Sequence, residues 1–195
     1  WGGDATIENV RKYKTPVRCI DIAFADRYSL CVIKADSFLE QDSAEIEKFI
    51  ERFYHDTFIM DQNACSSPHL IIWLGKKKQK AQKKFWDTLG IYVRKNFDLP
   101  RVSVVDKYNR ICQNSIDLKV PFELINYGNH IYRIILDKLP DDIYSFRGKS
   151  GYFFEYDAKE LSEIIPIVNS KFQTLTYFGI DKVSLKDFVI NNKLK

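Results

Sequence analysis

The chain has little of what marks several large classes of protein. None of its apolar runs approaches the roughly 18–20 residues that cross a bilayer, and Trp1-Gly2-Gly3-Asp4 has neither the basic start nor the apolar stretch of a secretory signal. A soluble, cytoplasmic protein is expected. There is no initiator Met, which suggests a fragment of a longer chain. Its four cysteines, at positions 19, 31, 65 and 112, make no CxxC pair, and only three histidines are available to join them. That spacing speaks against a zinc site and a disulfide framework, so reduced thiols and no metal are expected. Eight glycines and six prolines are scattered, with no linker, repeat or low-complexity tract, and no Gly-rich turn joins a strand to a helix.

What is present suits a packed domain: 195 residues, 45% of them apolar and 29% charged. Thirty basic and twenty-six acidic side chains are interspersed, leaving a net charge of +4, so phosphate neutralisation is not the main business and nucleic acid is not an expected partner. The dense cluster Lys76–Lys84 reads as the solvated face of a helix.

The patterning alternates strands and helices. Residues 5–14 read as a short helix broken by Pro16, and Val17–Ile22 has strand-like β-branched content. Leu30–Ile33 reads as a short buried strand. Asp42 and Glu45 form a capping-box pattern, and Ile46, Phe49, Ile50 and Phe53 follow as the apolar stripe of a helix. The small polar stretch Asp61–Pro68 reads as a loop, His69–Leu74 as a buried parallel strand, and Ala81, Phe85, Leu89, Val93 and Phe97 as the stripe of a long helix. Further on come a helical or mixed segment at Arg110–Leu118, strands at Ile131–Leu136 and Tyr152–Tyr156, a helix at Ala158–Val168 and a strand at Phe172–Tyr177. This order predicts an α/β domain with a mainly parallel sheet.

A thiol becomes a nucleophile where it is accessible and its thiolate is stabilised by N–H donors or positive charge. Cys19, Cys31 and Cys112 have apolar neighbours and read as small buried hydrophobes. Cys65 lies on the polar loop, where the small neighbours Ala64 and Ser66 leave room for a carbonyl and the turn's N–H groups can face an oxyanion. Asn63 belongs to the same loop. A structural loop cysteine is the plainer reading of composition alone. His69 reads as a buried strand residue, His55 and His130 as surface or core residues, and Tyr152–Tyr156 as core aromatics more readily than an acyl channel.

The segment Asp61-Gln62-Asn63-Ala64-Cys65-Ser66-Ser67-Pro68-His69 resembles the nucleophile segment of the acyl-CoA reductases of the bacterial bioluminescence type, a branch of the aldehyde dehydrogenase superfamily. Trp1-Gly2-Gly3-Asp4 is similar to the point where that family's chain leaves its cofactor domain, and Phe172–Gly179 is similar to its C-terminal signature. The resemblance implies an aldehyde dehydrogenase-like catalytic domain over 16–195, with 1–15 the remnant of the end of a cofactor-binding domain. It implies that Cys65 takes an acyl group from acyl-CoA or an acyl donor protein, and that NADPH, bound mainly by a domain absent from this chain, reduces the thioester to aldehyde. A homo-oligomer, or a complex with an acyl-transferring or synthetase subunit, fits the same picture.

Two departures from the superfamily matter. Ala23-Phe24-Ala25-Asp26-Arg27 takes the place of the stretch that carries a water-activating glutamate in oxidative members, with Ala23 at the glutamate position and Asp21 and Asp26 nearby. Phe146–Gly151 stands where the superfamily touches the cofactor ribose, and departs too far to assign a residue there. The alternatives are a non-redox acyl-carrying or acyltransferase module using Cys65, and a binding domain with a vestigial cysteine loop.

Overall fold

Two apolar runs without polar alternation become the centre of the molecule. In the computed structural model, which describes residues 2–23 and 26–194, β1 (Tyr28–Lys34) and β2 (Pro68–Leu74) pair in parallel and are buried along nearly their whole length. That two-sided burial is what their sequence demands. Around them the sheet runs β3-β4-β5-β2-β1-β6, with β4 (Ile131–Leu136), β5 (Tyr152–Asp157) and β6 (Phe172–Phe178) also parallel. Only β3 (Phe122–Tyr127) runs antiparallel, in a hairpin with β4. The fold is α/β with a mainly parallel sheet, as the alternation of elements predicts.

One face is covered by α2 (Ala35–Leu39), α3 (Ser43–Thr57) and α4 (Lys78–Asn96). The Asp42 carboxylate accepts the Glu45 N–H and starts α3. Ile46, Ile50 and Phe53 of α3 meet Phe85 and Leu89 of α4 in an apolar layer rich in edge-to-face aromatic pairs. Within this layer lies a buried polar group. The Glu155 carboxylate accepts the indole N–H groups of Trp73 and Trp86, both at 2.8 Å, and the Arg133 Nε at 2.6 Å. Every strong polar atom of that carboxylate is therefore engaged, which is the condition under which a buried ion pair is tolerated.

The other face is packed by α5 (Arg101–Asp117), by 3-10 turns at Ile143–Phe146 and Leu161–Ile167, and by Phe188 of α6 (Lys182–Asn191). At the chain's start, α1 (Asp4–Arg11) is tied to the domain by an ion pair between Asp4 and Lys171.

Three expectations are corrected. Val17–Ile22 is not a strand: it is turn and irregular chain, with Val17, Ile20 and Ile22 exposed. β-Branched content cannot make a strand without a neighbour to take its backbone hydrogen bonds. Ala158–Val168 is not an α-helix but a 3-10 segment, because Pro166 lies inside it and has no N–H to donate. Cys19 and Cys112 are exposed, and only Cys31 is buried; burial raises its thiol to about 12. Cys112 faces outward from α5, and Cys19 lies in the unpaired segment, so apolar neighbours in sequence did not bring either a covering layer. The Arg110–Leu118 segment is the second half of α5. β3 and α6 had no clear sequence signal.

Candidate active site

After α3 the backbone turns through two consecutive left-handed residues, Asp61 and Gln62, with φ of 51° and 53°. The turn is held from inside. Gln62 is fully buried: its Oε1 accepts the N–H groups of Gly151 (2.8 Å) and Tyr152 (2.9 Å), and its Nε2 donates to the Tyr152 carbonyl (3.1 Å). One side chain thus fastens the loop before β2 to the loop before β5. Gly151, at φ +85°, has no room for a side chain, because a Cβ would lie 2.1 Å from the His130 carbonyl oxygen.

Cys65 then occupies the second position of a β-turn closed by the Ser67 N–H on the Ala64 carbonyl at 3.0 Å. The Ser29 hydroxyl on β1 donates to the Cys65 carbonyl at 2.6 Å, and the Ser67 hydroxyl to the Asp56 carbonyl at 2.6 Å. The thiol is exposed, and the Gln173 side-chain amide of β6 donates to its Sγ at 3.6 Å. Among the described residues, neither the Cys65 nor the Ser66 backbone N–H has a protein acceptor. This arrangement can stabilise negative charge on sulfur and on an oxygen bound beside it.

The other sequence candidates take different roles. The Asn63 amide donates to the Met60 and Asp61 carbonyls and shapes the turn. His69 is buried beneath it, stacked on the Tyr28 ring at 5.4 Å. Burial foremost, then the positive charge of Arg147, lowers the His69 imidazole to about 3, so it is neutral near pH 7. Asp21 pairs with Arg11, and Asp26 with Arg147 at 3.8 Å; neither bonds to Cys65. Phe24 and Ala25, of the stretch that the sequence resemblance aligns with a water-activating glutamate, lie outside the described residues. Tyr152, Phe153 and Phe154 are core. Sequence reasoning missed Gln173 and Gln62 as individual residues. An exposed glutamine in a strand carries no signal for Gln173, and only the rarity of a polar side chain with no solvent marks Gln62.

An apolar cavity of about 210 Å³ lies along β6, with Leu30, Ile164, Phe172, Leu175 and Gln173 on its walls. The opposite ends of the strands look different. There the Asp36 carboxylate accepts the Lys76 N–H at 2.8 Å and sits against Gly75, where an added Cβ would lie 2.3 Å from its Oδ2. A carboxylate already occupies the turn before α4, the place where a dinucleotide's pyrophosphate would have to approach backbone N–H groups. That turn is therefore closed to a dinucleotide's pyrophosphate. The described residues include no cluster that could hold a metal ion, and no helix long and apolar enough to cross a membrane.

A family model described as acyl-CoA reductase (LuxC) matches residues 1–127. Among curated proteins, none matches in sequence. Among solved structures, the chain is similar to an aldehyde dehydrogenase from Bartonella henselae, at 12% identity and a TM-score of 0.61, covering 97% of this chain and 43% of that one. It is also similar to succinate-semialdehyde dehydrogenase from Burkholderia pseudomallei, at 11% identity and a TM-score of 0.59, covering 98% and 42%. A third similar structure is a methylmalonate-semialdehyde dehydrogenase from Sinorhizobium meliloti, complexed with NAD, at 13% identity and a TM-score of 0.53, covering 86% and 37%. The chain spans less than half the length of these proteins.

Proposed function

This chain belongs to the acyl-CoA reductase (LuxC) family, and from that membership we propose that it is the nucleophile-bearing part of an oxidoreductase converting a fatty acyl thioester to an aldehyde, with Cys65 as acyl acceptor. Residues 16–195 form the catalytic domain in this reading, and residues 1–15 the end of a cofactor domain. The observation that carries it is the exposed Cys65 Sγ at the tip of a fixed β-turn, facing the Gln173 amide.

In the acylation step the Cys65 thiolate attacks the thioester carbonyl carbon. A carbon–sulfur bond forms, and the carbonyl oxygen takes the negative charge beside the Cys65 and Ser66 N–H groups. Collapse expels the CoA thiolate, which takes up a proton from solvent. Gln173 supports the attacking sulfur through its N–H, and Ala64 keeps the approach open. The apolar cavity next to Gln173 supports an acyl chain as the group carried. The acyl-enzyme is the chemical point of the cysteine, since a thioester accepts hydride where a free carboxylate does not. NADPH would supply that hydride, held mainly by a separate cofactor domain in this reading.

The test is intact-mass analysis after incubation with an acyl-CoA. The expected result is one acyl adduct, mapped to Cys65 and absent in Cys65→Ser. An adduct that persists in Cys65→Ser overturns the assignment. The chain alone is expected to form no aldehyde from acyl-CoA and NADPH, because hydride transfer needs the nicotinamide held against the acyl carbon.

A further inference from the structure

On the other side of the Cys65 loop lies a cavity of about 690 Å³, within the usual size range of small-molecule sites. Its walls carry four cations, Lys107, Arg110, Arg147 and Lys149, against two carboxylates, Asp61 and Asp106. Lys107 is almost completely buried, and its ammonium donates to the backbone carbonyls of Asn129, His130 and Ser150. Among the described residues, no carboxylate lies within ion-pair distance of Lys107, Arg110 or Lys149. Carbonyl dipoles satisfy the ammonium's hydrogen bonds, and burial lowers it to about 8 against the weaker opposing field of Asp61. With Arg110 and Lys149 free of ion-pair partners among the described residues, cations outnumber carboxylates on this wall, which favours an anion there.

The position of the cavity connects it to the thiol. Asp61 belongs to the Cys65 loop, and Lys149 and Ser150 belong to the turn that Gln62 fastens to that loop. Cys65 is bonded to β1, the Ser150 turn leads into β5, and β2 lies between them. Two strand spacings, about 10 Å, separate these anchor points. A pantetheine arm covers such a span.

Resting on the acylation reading, we infer that this cavity binds the phosphate groups of the CoA thioester while the acyl carbonyl lies at Cys65. Arg110 and Lys149, both exposed and without an ion-pair partner among the described residues, engage the phosphates, and Lys107 lies on the same wall.

Calorimetry at low salt tests the site with inorganic pyrophosphate, CoA and pantetheine as probes. Pyrophosphate and CoA are expected to bind and pantetheine to bind at least tenfold more weakly. The double variant Arg110→Gln/Lys149→Gln is expected to weaken CoA and pyrophosphate at least tenfold, whereas Lys80→Gln/Lys186→Gln, which removes equal charge elsewhere, leaves both unchanged. Equal loss in the two double variants, or no binding of either phosphate probe, overturns the proposal. Acylation of Cys65 separates this failure from failure of the wider reading. If octanoyl-CoA and octanoyl-pantetheine acylate Cys65 equally fast at limiting concentration, the phosphate site is refuted while the acyl acceptor stands. If neither acylates Cys65 although pyrophosphate binds in the expected manner, the acylation reading falls, and with it the assignment of the bound phosphates to a thioester donor.

Discussion

The amino ends of the parallel strands and their carboxyl ends are built to opposite purposes. In open α/β sheets the carboxyl ends usually carry the ligand. Here those ends are closed by side chains: Asp36 fills the turn before α4, Ser37 donates to the Gly179 carbonyl after β6, and Lys78 donates to the Ala158 carbonyl after β5. The amino ends carry the exposed thiol, the Gln173 amide and the charged cavity. What distinguishes them is the loop chemistry. The amino-end loops are fastened by the buried Gln62, which leaves the Cys65 and Ser66 N–H groups free, whereas at the carboxyl ends Asp36, Ser37 and Lys78 spend their polar atoms on the backbone of neighbouring loops.

Substitutions at the two ends sharpen that contrast. The largest effect is expected from Cys65→Ser at the amino end, which abolishes acylation while circular dichroism stays unchanged, since a hydroxyl is nearly isosteric but scarcely ionised near neutral pH. Retained acylation would make the thiol a bystander. Next is Gln62→Ala, which strands the buried Gly151 and Tyr152 N–H groups and is expected to cost about 2–4 kcal/mol in urea unfolding. A loss below about 1 kcal/mol would mean the two loops are held together by something else.

His69 gives a smaller effect with a definite sign. Its imidazole is held near 3 in the folded chain and returns to about 6.5 on unfolding, so the unfolded state binds more protons between those values. Stability is therefore full above pH 6.5 and falls as pH drops toward 3, with a slope of at most about 1.4 kcal/mol per pH unit from this residue. His69→Phe, which keeps a ring against Tyr28, is expected to flatten the curve between pH 7 and 5. An unchanged slope would place the acid sensitivity in other groups.

Gln173→Leu removes the N–H directed at Sγ and is expected to slow acylation about fivefold, in line with roughly 1 kcal/mol for one such hydrogen bond. The smallest effect belongs to the carboxyl end. Asp36→Ala is expected to leave the acylation rate of Cys65 unchanged, and a slowed rate would show that the two ends communicate.

Much of this organisation is legible before any coordinates. The stripe Ile46, Phe49, Ile50, Phe53 and the run Leu70–Leu74 place α3 and β2 correctly because burial on one helix face, or on both sheet faces, writes itself into local spacing. The polar loop around Cys65 is legible for the same local reason, since small side chains and Pro68 oppose a helix. Gln173 is not, because it meets Cys65 from 108 residues away. The exposure of Cys19 and Cys112 fails for a related reason: an apolar neighbourhood in sequence promises burial only where a second element arrives to provide it. Lys107 looks like any helix-surface lysine, and only the three carbonyls converging on it from other loops reveal its position.

Trp73 and Trp86, on β2 and α4, give both their indole protons to the single carboxylate of Glu155, and Arg133 lies 5.1 Å from the Trp86 ring. Light emitted by these two fluorophores therefore comes from one polarised spot inside the helix-covered layer, isolated from solvent and from the thiol rim. With Trp1, the chain's third tryptophan, replaced by Phe, tryptophan fluorescence will register the parting of α4 from the sheet and remain silent to events at Cys65.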